Sequence, residues 1–276
     1  MNGLKDKVAI CTGAGRLDGL GAGILRRLAA EGCRVVVSDL GQPDQFLSAD
    51  DIGATAEMNA VADALRADGA DVLVVPCDVR KEADVRNLIA LTVKAFGRVD
   101  IFINNAGVGY MLKPAVETTL DEWQLVIDVN LTGAFLGSKH AAEQMIAQGE
   151  GGRIINIASQ AAKSGFPDLA AYVSSKHGMI GMTRALASEF GGHGITVNAV
   201  CPNHVTTGLG AKQNEYYANR QGLSVDDFLA AMRDKIPLGR PGLVTDTAAA
   251  VAFLASDDAS YVTGEAMNVS GGEETH

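Results

Sequence analysis

The sequence predicts a single α/β domain in which a parallel sheet of about seven strands is doubly wound, with helices on both faces. Short apolar runs alternate with helical segments along almost the whole chain, which is the pattern of successive βαβ units. Polar or glycine-rich turns follow several of these runs. The chain has 276 residues and no interior linker, so we expect one domain spanning residues 1–276.

Composition limits the classes of protein to which the chain can belong. Hydrophobic residues make up 47% of it, which is enough for a large core. The net charge of −10 argues against nucleic acid or an anionic membrane as a partner. No apolar run approaches the roughly 20 residues of a transmembrane helix, and we see no signal peptide, so we expect a cytoplasmic protein. Scattered cysteines without metal-ligand spacing predict buried free thiols and no metal site: Cys11, Cys33, Cys77 and Cys201.

Strands and helices follow one another in regular order. In an open parallel sheet, ligands bind beyond the carboxyl ends of the strands, so the turns after the strands are the candidate site. The predicted strands cover residues 7–12, 34–40, 71–77, 99–103, 152–158, 195–200 and 266–269, and the predicted helices cover 22–32, 54–68, 83–96, 122–148, 172–190 and 225–232.

The turn after the first strand predicts a dinucleotide site. A strand, a glycine-rich turn and a helix in this order place a pyrophosphate at the helix N-terminus, and glycines let the backbone approach it. The alternative is a tight βα turn that binds no ligand. The candidate residues are Gly13, Gly15, Arg16, Gly19, Leu20 and Gly21.

Asp39 at the end of the second strand predicts which cofactor binds. It lies roughly 20 residues beyond the glycine-rich turn, where a carboxylate accepts hydrogen bonds from the adenosine ribose. A negative charge there repels a 2′-phosphate, so we expect NAD, with NADP the weaker candidate. The long polar connection of residues 41–53 that follows is either a surface loop or a flap beside the adenosine.

A tyrosine and a lysine after the fifth strand predict a proton-transfer pair. Tyr172 and Lys176 are four residues apart, so they share one face of a helix. A free tyrosine has a pKa of about 10, and a nearby ammonium group lowers it by favouring the phenolate. Such a pair could act as a general acid and base, although the same spacing is common among ordinary helix-surface residues.

In combination, these motifs strongly resemble the short-chain dehydrogenase/reductase family, over residues 4–272. The fold that the resemblance implies is a Rossmann-type domain. The resemblance rests on the turn of residues 12–21, on Asn104-Asn105-Ala106-Gly107, on Asn130, on Ser159, on Tyr172-x-x-x-Lys176 and on residues 202–207.

The resemblance implies a role for each of four catalytic residues. Tyr172 would be the base in oxidation and the acid in reduction, and Lys176 would lower its pKa and bind the nicotinamide ribose. Ser159 would hydrogen-bond the substrate oxygen. Asn130 would hold a water that links Lys176 to solvent. It also implies further cofactor contacts, beside Tyr172 and Lys176, from Asp78, Val79, Asn105, Ala106, Gly107, Pro202, Val205 and Thr207.

The glycine-rich turn departs from the family pattern. It is longer by two residues around Arg16, Leu17 and Asp18. Enoyl reductases of the same superfamily have a comparably long first loop, but their catalytic tyrosine and lysine are spaced more widely than here. In NADP-dependent relatives a basic residue at the offset of Arg16 often meets the 2′-phosphate, which opposes the expectation from Asp39.

The substrate is expected to be polar. Residues 208–237 are the expected lid, and they are rich in hydrogen-bonding side chains. We therefore expect an NAD-dependent oxidoreductase that interconverts a secondary alcohol and a ketone or lactone, on a sugar, polyol or similar alcohol. Candidate substrate contacts are Ser159, Gln160, Tyr172, Asn203 and His204.

Two alternatives remain at this stage. One is an NADPH-dependent reductase of the 3-oxoacyl-(acyl-carrier-protein) type, which the acidic composition and Asp39 disfavour. The other is a dinucleotide-sensing regulator without catalysis, which retention of the four catalytic positions disfavours. Relatives in the family are usually tetramers, so the resemblance also implies a homotetramer.

Overall fold

The computed structural model describes residues 1–48, 51–109, 112–205 and 208–276. In these residues, one parallel sheet has the strand order β3-β2-β1-β4-β5-β6-β7, which confirms the doubly wound fold. The order reverses between β1 and β4, so a ligand crevice is expected at their carboxyl ends. The strands are β1 (Val8–Cys11), β2 (Arg34–Asp39), β3 (Val72–Pro76), β4 (Ile101–Asn104), β5 (Gly152–Ile157), β6 (Ile195–Pro202) and β7 (Ala266–Val269).

Helices cover both faces of the sheet. Alternate residues of a strand point to opposite faces, and in β1 Ala9 packs into one core while Ile10 packs into the other. The first core lies under α1, α2 and α9, and the second under α3, α5 and α6. The helices are α1 (Leu20–Ala30), α2 (Thr55–Ala67), α3 (Glu82–Phe96), α4 (Leu120–Ile127), α5 (Gly133–Gln148), α6 (Ala170–Phe190), α7 (Gly208–Gln221), α8 (Val225–Lys235) and α9 (Val244–Ala255).

The helix predicted over residues 122–148 is not one continuous α-helix. A π-helical turn, Asp128–Thr132, separates α4 from α5, and Asn130 lies within it. Such a turn has one residue more than an α-helical turn and is frequent at functional sites. The prediction was wrong here because a single inserted residue hardly changes the apolar periodicity.

Two helices were missing from the prediction. The expected lid forms α7 as well as α8, and α9 follows it. A side chain at Gly23 of α1 would place its Cβ 2.0 Å from Cγ1 of Val244, the first residue of α9, so α1 and α9 pack closely together. No helix of the described ranges is both long and apolar enough to cross a membrane.

Candidate active site

A cavity of about 740 Å³ lies at the carboxyl ends of the strands and is bounded by α7 and α8. The structure brings most of the predicted site residues to its wall. Gly15, Gly21 and Asn130 lie outside the lining, and Thr207 lies outside the described residues. The predicted residues on the wall are Gly13, Arg16, Gly19, Leu20, Asp39, Asp78, Val79, Asn105, Ala106, Gly107, Ser159, Gln160, Tyr172, Lys176, Pro202, Asn203, His204 and Val205.

The glycine-rich turn is fixed against the turn that follows β4. Asn105 Nδ2 donates to the carbonyl oxygens of Thr12 and Gly13, at 2.9 and 2.8 Å. Gly13 has a φ of +64°, and a Cβ there would lie 2.6 Å from Ala106 Cα. A side chain at this position would therefore collide with backbone. At Gly21, a Cβ would lie 2.6 Å from the Gly13 oxygen, so glycine at this position lets α1 pack closely against the turn.

Asp39 joins three backbone segments at the cavity wall. Its Oδ2 accepts from Gly15 N at 2.9 Å, and its Oδ1 accepts from Leu40 N at 2.8 Å and Gly53 N at 3.1 Å. Burial raises the pKa of Asp39, and these three N–H donors oppose the rise. Gly15 therefore supports the carboxylate rather than lining the cavity.

The described part of the 41–53 connection contributes to the cavity wall, and its role as a flap beside the adenosine stays a prediction. Phe46, Leu47 and Ile52 belong to the wall. Arg80, just after β3, pairs with Asp44 of the connection at 2.5 Å and with Asp78 at 2.7 Å. No pattern in the sequence indicates these contacts, because they depend on how a long loop folds back.

Tyr172, Ser159 and Lys176 meet in the cavity. The pKa of Tyr172 is raised by burial, and a hydrogen bond from the Ser159 hydroxyl opposes the rise. Lys176 Nζ lies 5.6 Å from the centroid of the Tyr172 ring and donates to Ile157 O at 2.7 Å. The net effect of this arrangement is a raised tyrosine pKa, and the lowering by Lys176 stays a prediction. Burial also lowers the pKa of Lys176 itself, to about 8.

Asn130 connects the turn after β4 to the helix that carries the tyrosine. Its Oδ1 accepts from Val108 N at 2.8 Å, and its Nδ2 donates to Val108 O at 2.8 Å and Ser175 Oγ at 3.1 Å. The side chain is fully buried. A Cβ at Gly107 would lie 3.4 Å from Asn130 Oδ1 and 3.7 Å from Lys176 Nζ, so both side chains approach this turn at Gly107.

Two tyrosines tie α7 to the segment just before α6. Tyr216 Oη donates to Asp168 Oδ2 at 2.9 Å, and Tyr217 Oη donates to Pro167 O at 2.9 Å. Arg220 also pairs with Asp168. The predicted lid therefore uses part of its polar surface to hold itself in place. We call these contacts of Tyr216, Tyr217 and Arg220 the latch. Asp168 has a φ of +63°, an uncommon conformation for aspartate that the latch helps to maintain.

Comparison with known proteins identifies the family. A family model described as Enoyl-(Acyl carrier protein) reductase matches residues 13–274. The chain is 38% identical to a short-chain dehydrogenase/reductase of Armillaria gallica, over 96% of this chain and 95% of the relative. It is 37% identical to the 3-oxoacyl-(acyl-carrier-protein) reductase FabG of Staphylococcus epidermidis, over 97% and 98%. A crystal structure of an actinorhodin polyketide ketoreductase variant with NADPH covers 100% of both chains, at 34% identity and a TM-score of 0.87. The chain belongs to the short-chain dehydrogenase/reductase family.

The cavity of this short-chain dehydrogenase/reductase fits a nicotinamide dinucleotide. Gly19 is the N-cap of α1, and the first turn of that helix has no acidic residue, so its free N–H groups suit a phosphate. Gly13 lines the cavity, and its lack of a side chain lets the turn lie close to Ala106 on the same wall. The protein is an oxidoreductase that acts on CH–OH groups.

Proposed function

We propose that the protein is an NAD-dependent oxidoreductase that interconverts a secondary alcohol and a ketone or lactone of a sugar, polyol or similarly polar substrate. The observation that carries the proposal is the set of polar side chains that line the same cavity wall as Ser159 and Tyr172. Side chains from α7 and from the turn after β6 extend this wall. Its further polar members are Gln160, Asn203, His204, Gln213, Asn214 and Gln221.

The bound nicotinamide would supply the hydride acceptor or donor. Tyr172 Oη takes the hydroxyl proton during oxidation and returns it during reduction. Ser159 Oγ hydrogen-bonds the reacting oxygen and donates to the phenolate as it forms. The Lys176 ammonium group, beside the ring, adds a second stabilising charge. Asn130 positions these groups by holding the turn after β4 against α6. Its second proposed role is to hold a water that links Lys176 to solvent.

Asp39 supports NAD as the cofactor. Its carboxylate lies on the cavity wall at the end of β2, where the adenosine ribose binds in a doubly wound fold. A dianionic 2′-phosphate would meet this buried negative charge, while ribose hydroxyls could donate to it. Arg16 is also on the wall, where its positive charge could meet the 2′-phosphate of NADP.

A 3-oxoacyl-(acyl-carrier-protein) reductase that uses NADPH is the second candidate. The likeness to FabG and to the ketoreductase solved with NADPH favours it. A carrier protein is acidic, so this activity calls for a basic docking surface, and the net charge of −10 disfavours that.

A kinetic panel separates these functions. Purified protein would be assayed with NAD and NADP against sugars, polyols, simple secondary alcohols and 3-hydroxyacyl thioesters. The proposal requires turnover of a polar alcohol with NAD, and turnover of thioesters with NADP alone would replace it by the second candidate. A Tyr172→Phe variant that keeps its activity would show that the catalytic assignment is wrong.

We also propose a homotetramer in the cytoplasm. Phe135 on α5 is 44% exposed, and Gly181 on α6 has open space where a Cβ would stand, so both helices present a surface that a second copy could cover. The four cysteines are buried and free, which suits a reducing compartment. Light scattering on the purified protein would test the assembly, and cell fractionation would test the compartment.

A further inference from the structure

The C-terminal segment places a carboxylate on the wall of the catalytic cavity. Glu273 lies beyond β7 and belongs to the lining, although no motif of the sequence connects it with the site. Its Oε2 accepts a hydrogen bond from Asn203 Nδ2 at 2.8 Å. The same Nδ2 donates to Ser270 O at 2.9 Å, so the Asn203 amide is fixed by two acceptors and holds the glutamate in place.

Glu273 keeps its negative charge available to a ligand. Its partner Asn203 is neutral, and none of the cationic side chains that the structure describes forms an ion pair with Glu273. The neighbouring Glu274 differs, because it is buried and bonded to Ser164 and His276. Glu274 therefore secures the C-terminal segment, while Glu273 faces the cavity.

The carboxylate shares the cavity with the catalytic hydroxyls. The backbone N–H of Ser159 donates to the sulfur of Cys201, near the end of β6. Asn203 follows two residues later, which is about 7 Å along an extended chain. Glu273 also acts on His204, because its charge opposes the lowering of the His204 pKa that burial causes. The pair of Asn203 and Glu273 thus belongs to the same cavity lining as Ser159 and Tyr172.

We propose that Glu273 is a specificity-determining residue that accepts a hydrogen bond from a hydroxyl or ammonium group of the substrate. The proposal rests on the proposed function and names the part of the substrate that the polar wall recognises. The Glu273 carboxylate attracts a hydrogen-bond donor of the substrate. It loses solvation when a methyl group of the substrate faces it, and it repels a substrate carboxylate. A charge-assisted hydrogen bond of this kind corresponds to a preference of about 10- to 100-fold.

The test uses cyclohexanones that differ only in the substituent at C4, which lies across the ring from the carbonyl. Reduction with NADH would be measured for the 4-hydroxy, 4-ammonio, 4-methyl and 4-carboxylate ketones. For each enzyme, the kcat/KM with a given ketone would be divided by the kcat/KM of that enzyme with the 4-methyl ketone. The wild-type ratios should be about 10 or more for the hydroxy and ammonio ketones and well below one for the carboxylate.

Glu273→Gln removes the charge and keeps an acceptor for Asn203. It should lower the ammonio ratio about 10-fold or more and raise the carboxylate ratio. Glu273→Asp withdraws the carboxylate by one methylene group and should give intermediate ratios. Glu265→Gln, at an exposed glutamate outside the cavity lining, is the matched control and should keep the wild-type ratios.

The outcomes distinguish this inference from the proposed function. Equal ratios in wild type and Glu273→Gln, with ketone reduction intact, would overturn the assignment of Glu273 and leave the function standing. Absence of turnover of all four ketones, together with no turnover of any polar alcohol of the panel with NAD, would overturn the function and the assignment with it. Thermal melting of each variant confirms that the comparison is made between folded proteins.

Discussion

Replacement of Lys176 by methionine should stabilise the protein at neutral pH while abolishing its activity. Lys176 is 4% exposed, and burial lowers its pKa from 10.5 to about 8. Below pH 8 the folded chain must hold a charged amine in an apolar site, while the unfolded chain leaves it in water. Methionine has a similar length and carries no charge, so Lys176→Met removes this cost.

The size of the effect follows from the pKa. The fall in the pKa of Lys176 from 10.5 to about 8 corresponds to a cost of about 3 kcal/mol for burying the charged amine, at about 1.4 kcal/mol per pKa unit. The variant also loses the hydrogen bond from Lys176 Nζ to Ile157 O, which reduces this gain in stability by about 1–2 kcal/mol. The net gain at pH 7 is therefore about 1–2 kcal/mol, or about 2–4 °C in Tm.

The sign of the effect depends on pH. Because the folded pKa is the lower one, the unfolded chain binds more protons between about pH 8 and pH 10.5. The free energy of unfolding of the wild type therefore rises with pH across this window. Above pH 10.5 the charge penalty has vanished, and the variant, which lacks the hydrogen bond, should be the less stable protein.

Thermal and urea unfolding at pH 7, 8, 9 and 10.5 would measure this reversal. Wild type and variant are compared at one protein concentration, because assembly also changes stability. Lys5→Met, at an exposed lysine, is the control and should show no reversal. A stability difference between wild type and Lys176→Met that stays constant over this range would refute the reasoning.

Three further predictions concern the cofactor and the lid. Asp39→Ser should lower the ratio of kcat/KM with NAD to that with NADP by at least about tenfold, because the charge that repels a 2′-phosphate is lost; steady-state kinetics with both cofactors would detect it. Tyr216→Phe should raise KM about 2- to 10-fold, since α7 loses one hydrogen bond of its latch, whereas the same change at the fully exposed Tyr261 should leave KM unaltered. Gly53→Ala would place a Cβ 2.5 Å from backbone of the glycine-rich turn, so it should cost about 1–3 kcal/mol of stability in urea unfolding, while Gly165→Ala, with open space around it, should cost less.

The features that the sequence predicted well are local ones. An apolar run followed by glycines identifies β1 and its turn, because both signals lie within a few residues of each other. Asp39 was found by its fixed distance from that turn, and the pair of Tyr172 and Lys176 by helical spacing. The alternation of such local signals was enough to predict the sheet and the edge at which the site lies.

The features that the sequence could not predict depend on contacts between distant segments. Asn203 and Glu273 are 70 positions apart, and Tyr216 is 48 positions from Asp168, so no spacing rule connects them. The polar helix α7 has no continuous apolar stripe and reads as a loop. The raised pKa of Tyr172 depends on burial, which emerges only when the lid, the turn after β4 and the catalytic helix come together.

The most direct test of the account is the rate at which the wild-type protein and Tyr172→Phe reduce NAD with the best polar alcohol of the panel. We expect turnover by the wild type and little change in cofactor affinity in the variant. The kcat of the variant should fall by at least about 100-fold, since general acid–base catalysis contributes about 10²–10⁴-fold. Comparable rates for the two proteins would contradict the catalytic assignment on which every other inference about this cavity depends.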